Sequence, residues 1–378
     1  MILQALDIKD NCTGIFHNGR IVVDPTPELL RKYSLAWKHS DSLEDKNYTY
    51  LYIMSRGQPL SSFSKRPQTL VGLNKIFKAH QRASTTAKID MSQSCFFDMV
   101  PEHHMNSWLL ERSDALENLW NKCHRNIPSD YDILHKCHVL TANISKRRLR
   151  YQGSPKKVEY DIFGSSTGRL TTVKGTFPIL NMKKPERVNI QPNNHAFVEF
   201  DFNAAEIRTL LGLSGREQPD QDIHNWVSRE IFSGEITREE VKRKIFSWLY
   251  NFSASDLQLS KIFSREVFRD FYCGDKSYLK TPYGRELKVE ERKAQNYLLQ
   301  STTSDIVMEN SYNIMKFLEG KKTEVAFSLH DSVILDFHKE DLNCLRELKS
   351  IFEQTPWGKF KTSCKIGKNF GNMKELQI

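Results

Sequence analysis

The sequence predicts an α+β protein, because short apolar segments with the character of strands occur together with long segments of helical periodicity. The clearest strands are AFVEFDF at 196–202 and the two apolar halves of EVAFSLHDSVILDF at 324–337. The clearest helical patterns lie at 105–149 and 290–318. A length of 378 residues suggests two or three domains, and 39% hydrophobic with 27% charged residues excludes a disordered or fibrous protein.

The N-terminal part begins with strand-like pieces, the second of which should turn at His17-Asn18-Gly19. A polar and basic stretch then follows within 61–88, and its composition indicates a linker or a loop that faces nucleic acid. The helical region ends in four cations, Lys146, Arg147, Arg148 and Arg150. These form either a solvated helix end or a surface that follows phosphates, and the formal net charge of +9 suits a polyanionic partner.

The cysteines and the apolar pattern indicate the compartment. Seven cysteines without a CxxC pair argue against a disulfide framework. No apolar run is long enough to span a membrane, and the N-terminus lacks a secretory or transit signature. We expect a cytoplasmic, reducing location and no membrane partner.

Two aspartates stand where strands end. Asp201 closes the strand at 196–202, just before a helical pattern, and is either a helix-entry acid or a carboxylate that faces a metal or a reacting group. Asp331 lies in the tight turn His330-Asp331-Ser332, where an acid is common for reasons of turn chemistry. Beside Asp201 it would complete a carboxylate pair.

Two helices carry polar rows at a spacing of four. Thr237 and Glu240 form a capping-box pattern, so a helix should begin at Arg238 and align Arg238, Lys242, Phe246 and Tyr250 in one stripe. That stripe suits a nucleoside triphosphate, although an amphipathic helix with surface cations has the same pattern. A further helix is expected at 255–272, followed by a hairpin that turns at Pro282-Tyr283-Gly284. The row Arg292, Asn296 and Gln300 is either an exposed polar face or a set of donors for a duplex.

The order of these motifs resembles that of family A DNA polymerases, the bacterial DNA polymerase I type. DFNAAEIR, R-xxx-K-xxx-F-xxx-Y and HDS follow one another as motifs A, B and C of that family. TGRL precedes them, DIH lies between A and B, and R-xxx-N-xxx-Q lies between B and C. The resemblance covers roughly residues 160 to 375.

The resemblance implies a right-hand polymerase fold with an antiparallel palm sheet, helical fingers and a helical thumb, plus a small N-terminal region. The implied domains are the N-terminal region at 1–95, thumb-like helices at 96–150, the first palm part with motif A at 151–216, the fingers with motif B at 217–275, and the second palm part with motif C at 276–378. The N-terminal region could be a remnant of a nuclease-like domain or a docking module for a separate nuclease, primase or processivity factor.

The implied activity is template-directed addition of dNTPs to a primer 3′ end by two-metal-ion nucleotidyl transfer. Asp201 and Asp331 would be catalytic and, with the backbone carbonyl of Phe202, would hold two Mg²⁺ ions, for which Mn²⁺ can substitute. The implied nucleotide-binding residues are Arg238, Lys242, Phe246, Tyr250, Glu206 and His224. The implied contacts to primer-template DNA are Arg169, Arg292, Asn296, Gln300, His330 and Asn181.

Several positions depart from the family pattern. Ser332 stands where these polymerases usually have glutamate, Asn251 stands where they usually have glycine, and Asn203 begins a variant of the usual Ser-Gln-Ile. HDS also occurs in single-subunit RNA polymerases, but Glu206 and Phe246 favour deoxynucleotides. A catalytically inactive, DNA-binding subunit is the other alternative. We expect no proofreading, because no exonuclease set of acids is visible, and the compact size suggests a viral or mobile-element replicase.

Overall fold

A computed structural model describes residues 4–8, 11–17, 20–23, 26, 28, 52–88, 102–123, 127–251 and 254–378. The chain divides into two compact units, Met1–Tyr131 and Asp132–Ile378. Both contain helices, and every strand pairing among the described residues is antiparallel.

The helices and strands of the described residues are numbered in chain order. The α-helices are α1 (Pro67–Thr86), α2 (Glu102–Cys123), α3 (Tyr131–Ser145), α4 (Ala205–Leu213), α5 (Ile223–Phe232), α6 (Arg238–Tyr250), α7 (Glu291–Phe317) and α8 (Leu345–Glu353). The strands are β1 (Gln4–Ile8), β2 (Asn11–His17), β3 (Arg20–Val23), β4 (Leu149–Tyr151), β5 (Ser154–Lys156), β6 (Tyr160–Asp161), β7 (Thr171–Thr172), β8 (Ile190–Gln191), β9 (Ala196–Phe202), β10 (Tyr272–Cys273), β11 (Tyr278–Lys280), β12 (Glu286–Lys288), β13 (Glu324–Leu329), β14 (Ser332–Phe337), β15 (Gln354–Thr355), β16 (Gly358–Lys359), β17 (Thr362–Gly367) and β18 (Lys374–Glu375).

Among the described residues, the first unit contains a three-stranded sheet together with α1 and α2. Strands β1, β2 and β3 pair in that order, and His17 is opposite Arg20, which confirms the predicted hairpin. The prediction of a linker or loop within 61–88 is wrong, because α1 occupies most of this stretch. Leu70 on α1 is fully buried, and the indole of Trp108 on α2 donates to the Asn74 side chain over 2.8 Å. Packing against α2 therefore overrides the polar composition.

The second unit is built on a five-stranded sheet with the order β13-β14-β9-β17-β18. One face of this sheet packs on helices: Phe202 stacks on Phe352 of α8 with ring centroids 4.3 Å apart, and Phe200 lies 6.2 Å from the same ring. Alternation along a strand then places Glu199 and Asp201 of β9 on the opposite face. The core of the sheet therefore holds β9 rigidly while its acids face away from the helices.

A second hydrophobic core joins α4, α5, α6 and the first half of α7. Asp222 caps α5 by accepting the backbone N–H groups of His224 and Asn225, each over 3.0 Å. The predicted capping box at the start of α6 is confirmed: Thr237 accepts the backbone N–H of Glu240, whose carboxylate accepts the N–H of Thr237.

The prediction of a helix at 255–272 is wrong. This stretch forms two 3₁₀ segments, Leu259–Lys261 and Arg265–Phe271. Between them Ser264 is extended and donates its backbone N–H to the Ser214 hydroxyl over 3.3 Å. Phe263 is buried beside Trp248, with ring centroids 6.2 Å apart. This contact with α6 interrupts the helix that the local periodicity predicts.

Within the described ranges, no helix combines the length and the apolar character needed to cross a membrane.

Candidate active site

Two acids from distant parts of the sequence meet at one end of the sheet. Asp201 lies near the end of β9, directly opposite Ser332 of β14 and Ser363 of β17. Asp331 occupies the two-residue turn between β13 and β14, and its backbone carbonyl accepts the N–H of Phe202 over 3.4 Å. The sheet therefore brings together the carboxylate pair that the sequence predicted.

Burial makes the charged forms of both acids costly. Burial, reinforced by the carboxylates of Glu199 and Asp331 and opposed by Lys365, raises the pKa of Asp201 to about 7. Burial also raises the pKa of Asp331, against the opposing charge of Arg169. Two desolvated acids that repel each other are a favourable place for a cation, which removes the penalty of ionisation.

The donor set fits a magnesium ion. Carboxylate and carbonyl oxygens are the hard ligands that Mg²⁺ prefers, and Mg²⁺ is commonly held by one or two carboxylates together with substrate phosphates. Within the described residues, no three His, Cys, Asp or Glu side chains are placed to hold a metal together. The carboxylates of Asp201 and Asp331 are donors of this kind.

A cavity of about 280 Å³ lies beside Asp331. Its lining includes Arg169, Glu206, Phe246 and Tyr250, which are four of the residues that the sequence singled out. Glu206 on α4 accepts hydrogen bonds from both the Arg169 guanidinium and the Tyr250 hydroxyl. Burial raises the pKa of Glu206, while the Tyr250 hydrogen bond and the charge of Arg169 oppose the rise.

The aromatic half of the predicted stripe on α6 forms a flat surface. The rings of Phe246 and Tyr250 stack with centroids 5.5 Å apart and an interplanar angle of 22°. They are 43% and 39% exposed, which is unusual for large aromatic side chains. An exposed stacked pair next to a cavity is suited to a planar ligand such as a nucleobase.

The cationic half of the stripe lies near a buried histidine. Lys242 is exposed, whereas Arg238 pairs with Asp222 over 2.9 Å. The His224 side chain is buried, and neither ring nitrogen has a hydrogen-bond partner among the described residues. Burial lowers the pKa of His224, and Arg238 and Lys242 lower it further against the opposing charge of Asp222. The buried ring of His224 therefore has an unsatisfied N–H group close to the charges of Arg238 and Lys242.

The structure places the predicted nucleic-acid residues less closely together. His330 adopts a left-handed backbone with φ of 51° in the turn that carries Asp331. Burial lowers its pKa, and the charges of Arg169 and Arg187 add to that effect. On α7, Arg292 is exposed and pairs with Glu290 over 2.7 Å, whereas Asn296 and Gln300 are half-buried. Asn181 is exposed at the end of a 3₁₀ turn (Ile179–Asn181), and no described contact links it to the cavity.

A glycine and a buried ion pair hold the TGRL segment. Gly168 has φ of +75°, and a Cβ atom there would lie 2.6 Å from the Arg285 guanidinium carbon. Arg285 in turn pairs with the fully buried Asp305 of α7 over 2.7 Å. Only glycine allows this close approach, so the pair supports the loop from which Arg169 reaches Glu206.

Two residues near the carboxylates, Glu199 and Lys365, were not predicted from the sequence. Glu199 is half-buried and pairs with Lys365 over 3.4 Å, and its carboxylate lies 3.5 Å from the Ser332 hydroxyl. The two-residue alternation of β9 could have placed Glu199 beside Asp201. No local signal identifies Lys365, because its place depends on the register between β9 and β17.

Comparison with solved structures finds similarity in fold. No family model matches the chain, and no curated protein matches it either. The chain resembles a solved structure described as "POL domain of Pol1 from M. smegmatis complex with DNA primer-template and dNTP", with 13% sequence identity and a TM-score of 0.49. The match covers 91% of this chain and 74% of that chain. Likeness at this level carries no functional argument, so the function rests on the residues of this chain.

Proposed function

We propose that this chain is a template-directed DNA polymerase that adds dNTPs to the 3′ end of a primer, without proofreading. The observation that carries the proposal is the placement of Asp201 and Asp331 at one end of the sheet, next to the cavity lined by Glu206, Phe246 and Tyr250. A carboxylate pair beside a cavity of about 280 Å³ with an exposed aromatic stack suits nucleotidyl transfer.

Asp201, Asp331 and the carbonyl of Phe202 would hold the metal ions. Two Mg²⁺ ions, or Mn²⁺ in their place, supply acidification of the primer hydroxyl and neutralisation of charge on the triphosphate when bound. The role of the chain is to keep the two carboxylates fixed and partly dehydrated, which strengthens their hold on a cation. The stacking of Phe202 on Phe352 supports this rigidity at the end of β9.

The triphosphate would lie along the first half of α6. Arg238 and Lys242 supply positive charge, and the unsatisfied N–H of the His224 ring would donate a hydrogen bond to a phosphate oxygen. Because burial and the neighbouring cations favour the neutral imidazole, one ring nitrogen donates and the other accepts.

The sugar and base would lie in the cavity. The ring of Tyr250 or Phe246 would stack on the base, and Glu206 would close the space next to the sugar. A carboxylate held by two donors is a fixed obstacle, so a 2′-hydroxyl would clash with it or break its hydrogen bonds. This arrangement favours deoxynucleotides over ribonucleotides.

The remaining polar residues are proposed contacts to the primer-template. These are Arg169, Arg292, Asn296, Gln300, His330 and Asn181. In this proposal the five-stranded sheet is the palm, and α5 and α6 belong to the fingers. The N-terminal region would bind an accessory protein such as a nuclease, a primase or a processivity factor.

Primer extension tests the proposal. Purified chain, a primed DNA template and Mg²⁺ should give extension with dNTPs and much less with rNTPs, whereas Asp201→Asn and Asp331→Asn should each abolish synthesis without loss of DNA binding. Preferred use of rNTPs would instead support an RNA polymerase. DNA binding without any extension would support an inactive polymerase-like subunit.

A further inference from the structure

A network of polar contacts connects the end of β9 to the proposed triphosphate residue Arg238. The side-chain amide of Asn203, which follows β9 directly, donates to the Asp222 carboxylate over 2.7 Å. Asp222 accepts two hydrogen bonds from the Arg238 guanidinium, over 2.9 Å and 3.2 Å. Three residues therefore link the strand that carries Asp201 to the first residue of α6.

The Asn203 side chain has a fixed orientation. Its carbonyl oxygen accepts the backbone N–H of Ile223 over 2.9 Å and a guanidinium N–H of Arg208 over 3.3 Å. Arg208 is fully buried and also donates to the carbonyls of Pro219 and Gln221. Because both the oxygen and the nitrogen of its side-chain amide form hydrogen bonds, Asn203 holds Asp222 in one position relative to β9.

The Asp222 carboxylate accepts hydrogen bonds from three parts of the chain. Its carboxylate caps α5, receives the Asn203 amide and pairs with Arg238 in a two-bond arrangement. The guanidinium of Arg238 is thereby aimed by a carboxylate rather than left to rotate. The unsatisfied ring of His224 lies beside the same carboxylate, with Nδ1 3.7 Å from an oxygen of Asp222.

We propose that Asp222 is a positioning residue that orients Arg238 for the incoming triphosphate and opposes the triphosphate with its own negative charge. The inference rests on the proposed function. The Asp222 carboxylate then holds Arg238 in its working orientation while it repels the triphosphate, so part of the binding energy offsets that repulsion. Binding energy used in this way limits affinity but supports turnover.

The Asp222→Asn variant separates the orientation of Arg238 from the repulsion of the triphosphate, because the first affects the rate and the second affects the affinity. Asparagine caps helices as well as aspartate does, so the start of α5 is kept while the charge is removed. The variant should bind triphosphate about tenfold more tightly, a change equivalent to ~1.4 kcal/mol, since one opposing charge is lost. Its maximal rate should fall by about tenfold, because the remaining neutral amide orients the guanidinium less strongly.

Glu239→Gln is the matched control. Glu239 also pairs with Arg238, over 2.7 Å, but its side chain is 69% exposed, against 20% for Asp222. A solvated ion pair contributes little, and no described contact connects Glu239 to β9, so both affinity and rate should stay within about twofold of the native values.

The experiment measures equilibrium binding of a dNTP and of inorganic triphosphate to the full chain on a primer that ends in a dideoxynucleotide, together with single-turnover rates on an extendable primer. Tighter binding and slower turnover in Asp222→Asn, with little change in Glu239→Gln, is the expected result. Unchanged or weaker triphosphate binding in Asp222→Asn overturns the inference. Thermal unfolding checks that the variant folds, and Asp222→Ser, which also keeps a capping side chain, is the second variant.

The Arg238→Gln background tests the route of the effect. If Asp222 orients Arg238, adding Asp222→Asn to Arg238→Gln should not lower the maximal rate any further, and a further loss of rate would overturn the inference. The gain in triphosphate affinity should persist in this background, because the repulsion by the Asp222 carboxylate does not depend on Arg238. The two proposals fail differently. Wild-type chain that binds triphosphate but never extends a primer refutes the polymerase function, whereas normal extension with no gain in Asp222→Asn affinity refutes only the role of Asp222.

Discussion

Replacing Asp201 by asparagine should stabilise the metal-free protein at neutral and alkaline pH, although it abolishes synthesis. Burial raises the pKa of Asp201 from its ordinary value of 3.8 to about 7. Since each pH unit by which a pKa moves corresponds to ~1.4 kcal/mol, keeping this side chain ionised costs the fold on the order of 4 kcal/mol. Asparagine carries no charge and avoids that cost.

The direction of the pH effect on stability follows from proton binding to Asp201. Between about pH 4 and pH 7 the folded chain keeps a proton on Asp201 that the unfolded chain has released. The contribution of Asp201 to stability is therefore fully present below the unfolded pKa and is lost as the pH rises through the folded pKa. Relative to Asp201→Asn, the wild-type chain should lose roughly 2.5 kcal/mol of unfolding free energy between pH 5 and pH 8.

Urea unfolding of both proteins in EDTA at pH 5 and pH 8 measures this difference. Mg²⁺ at pH 8 should raise the stability of the wild-type chain and not that of Asp201→Asn, because an ion that binds only the folded state stabilises it. The exposed Asp275 provides a control, as Asp275→Asn should leave the pH dependence unchanged. Parallel pH curves for wild type and Asp201→Asn would refute the reasoning that burial of this carboxylate destabilises the metal-free fold.

Three further changes give separate tests. Glu206→Ala should raise the use of rNTPs relative to dNTPs in primer extension, because the acid next to the sugar is lost; an unchanged ratio would remove Glu206 from that role. Phe246→Tyr should improve the use of dideoxynucleotides, because the added hydroxyl would enter the proposed nucleotide cavity, where it can replace the missing 3′-hydroxyl; equal discrimination in both proteins would contradict this placement of Phe246. Thr237→Ala should lower the unfolding free energy by about 1 kcal/mol in urea titrations, since it removes the capping box of α6; a change near zero would mean that the box adds nothing.

Local patterns predicted the elements that carry the site. The apolar run of β9, the hairpin around Asp331 and the capped start of α6 all occur as expected, because strand alternation, turn chemistry and capping involve residues within a few positions of one another. Local patterns did not predict the secondary structure where packing against other elements decides it. Composition predicts a linker or a loop that faces nucleic acid within 61–88, but most of this stretch forms a helix. Periodicity predicts a helix at 255–272, but this stretch forms 3₁₀ segments. Contacts from other elements outweigh the local signal in both stretches.

The sequence by itself determined which residues could do chemistry: the acids at two strand ends, the cation and aromatic stripe of α6, and the order in which they occur. Only the tertiary structure decided which of them meet. The register of β9 with β14 and β17 places Asp201 beside Asp331 and brings Lys365 to Glu199, and the start of α5 brings Asp222 to Arg238. The physical reason is that pairing register and charge burial depend on contacts between segments far apart in the chain, which no local pattern of side chains encodes.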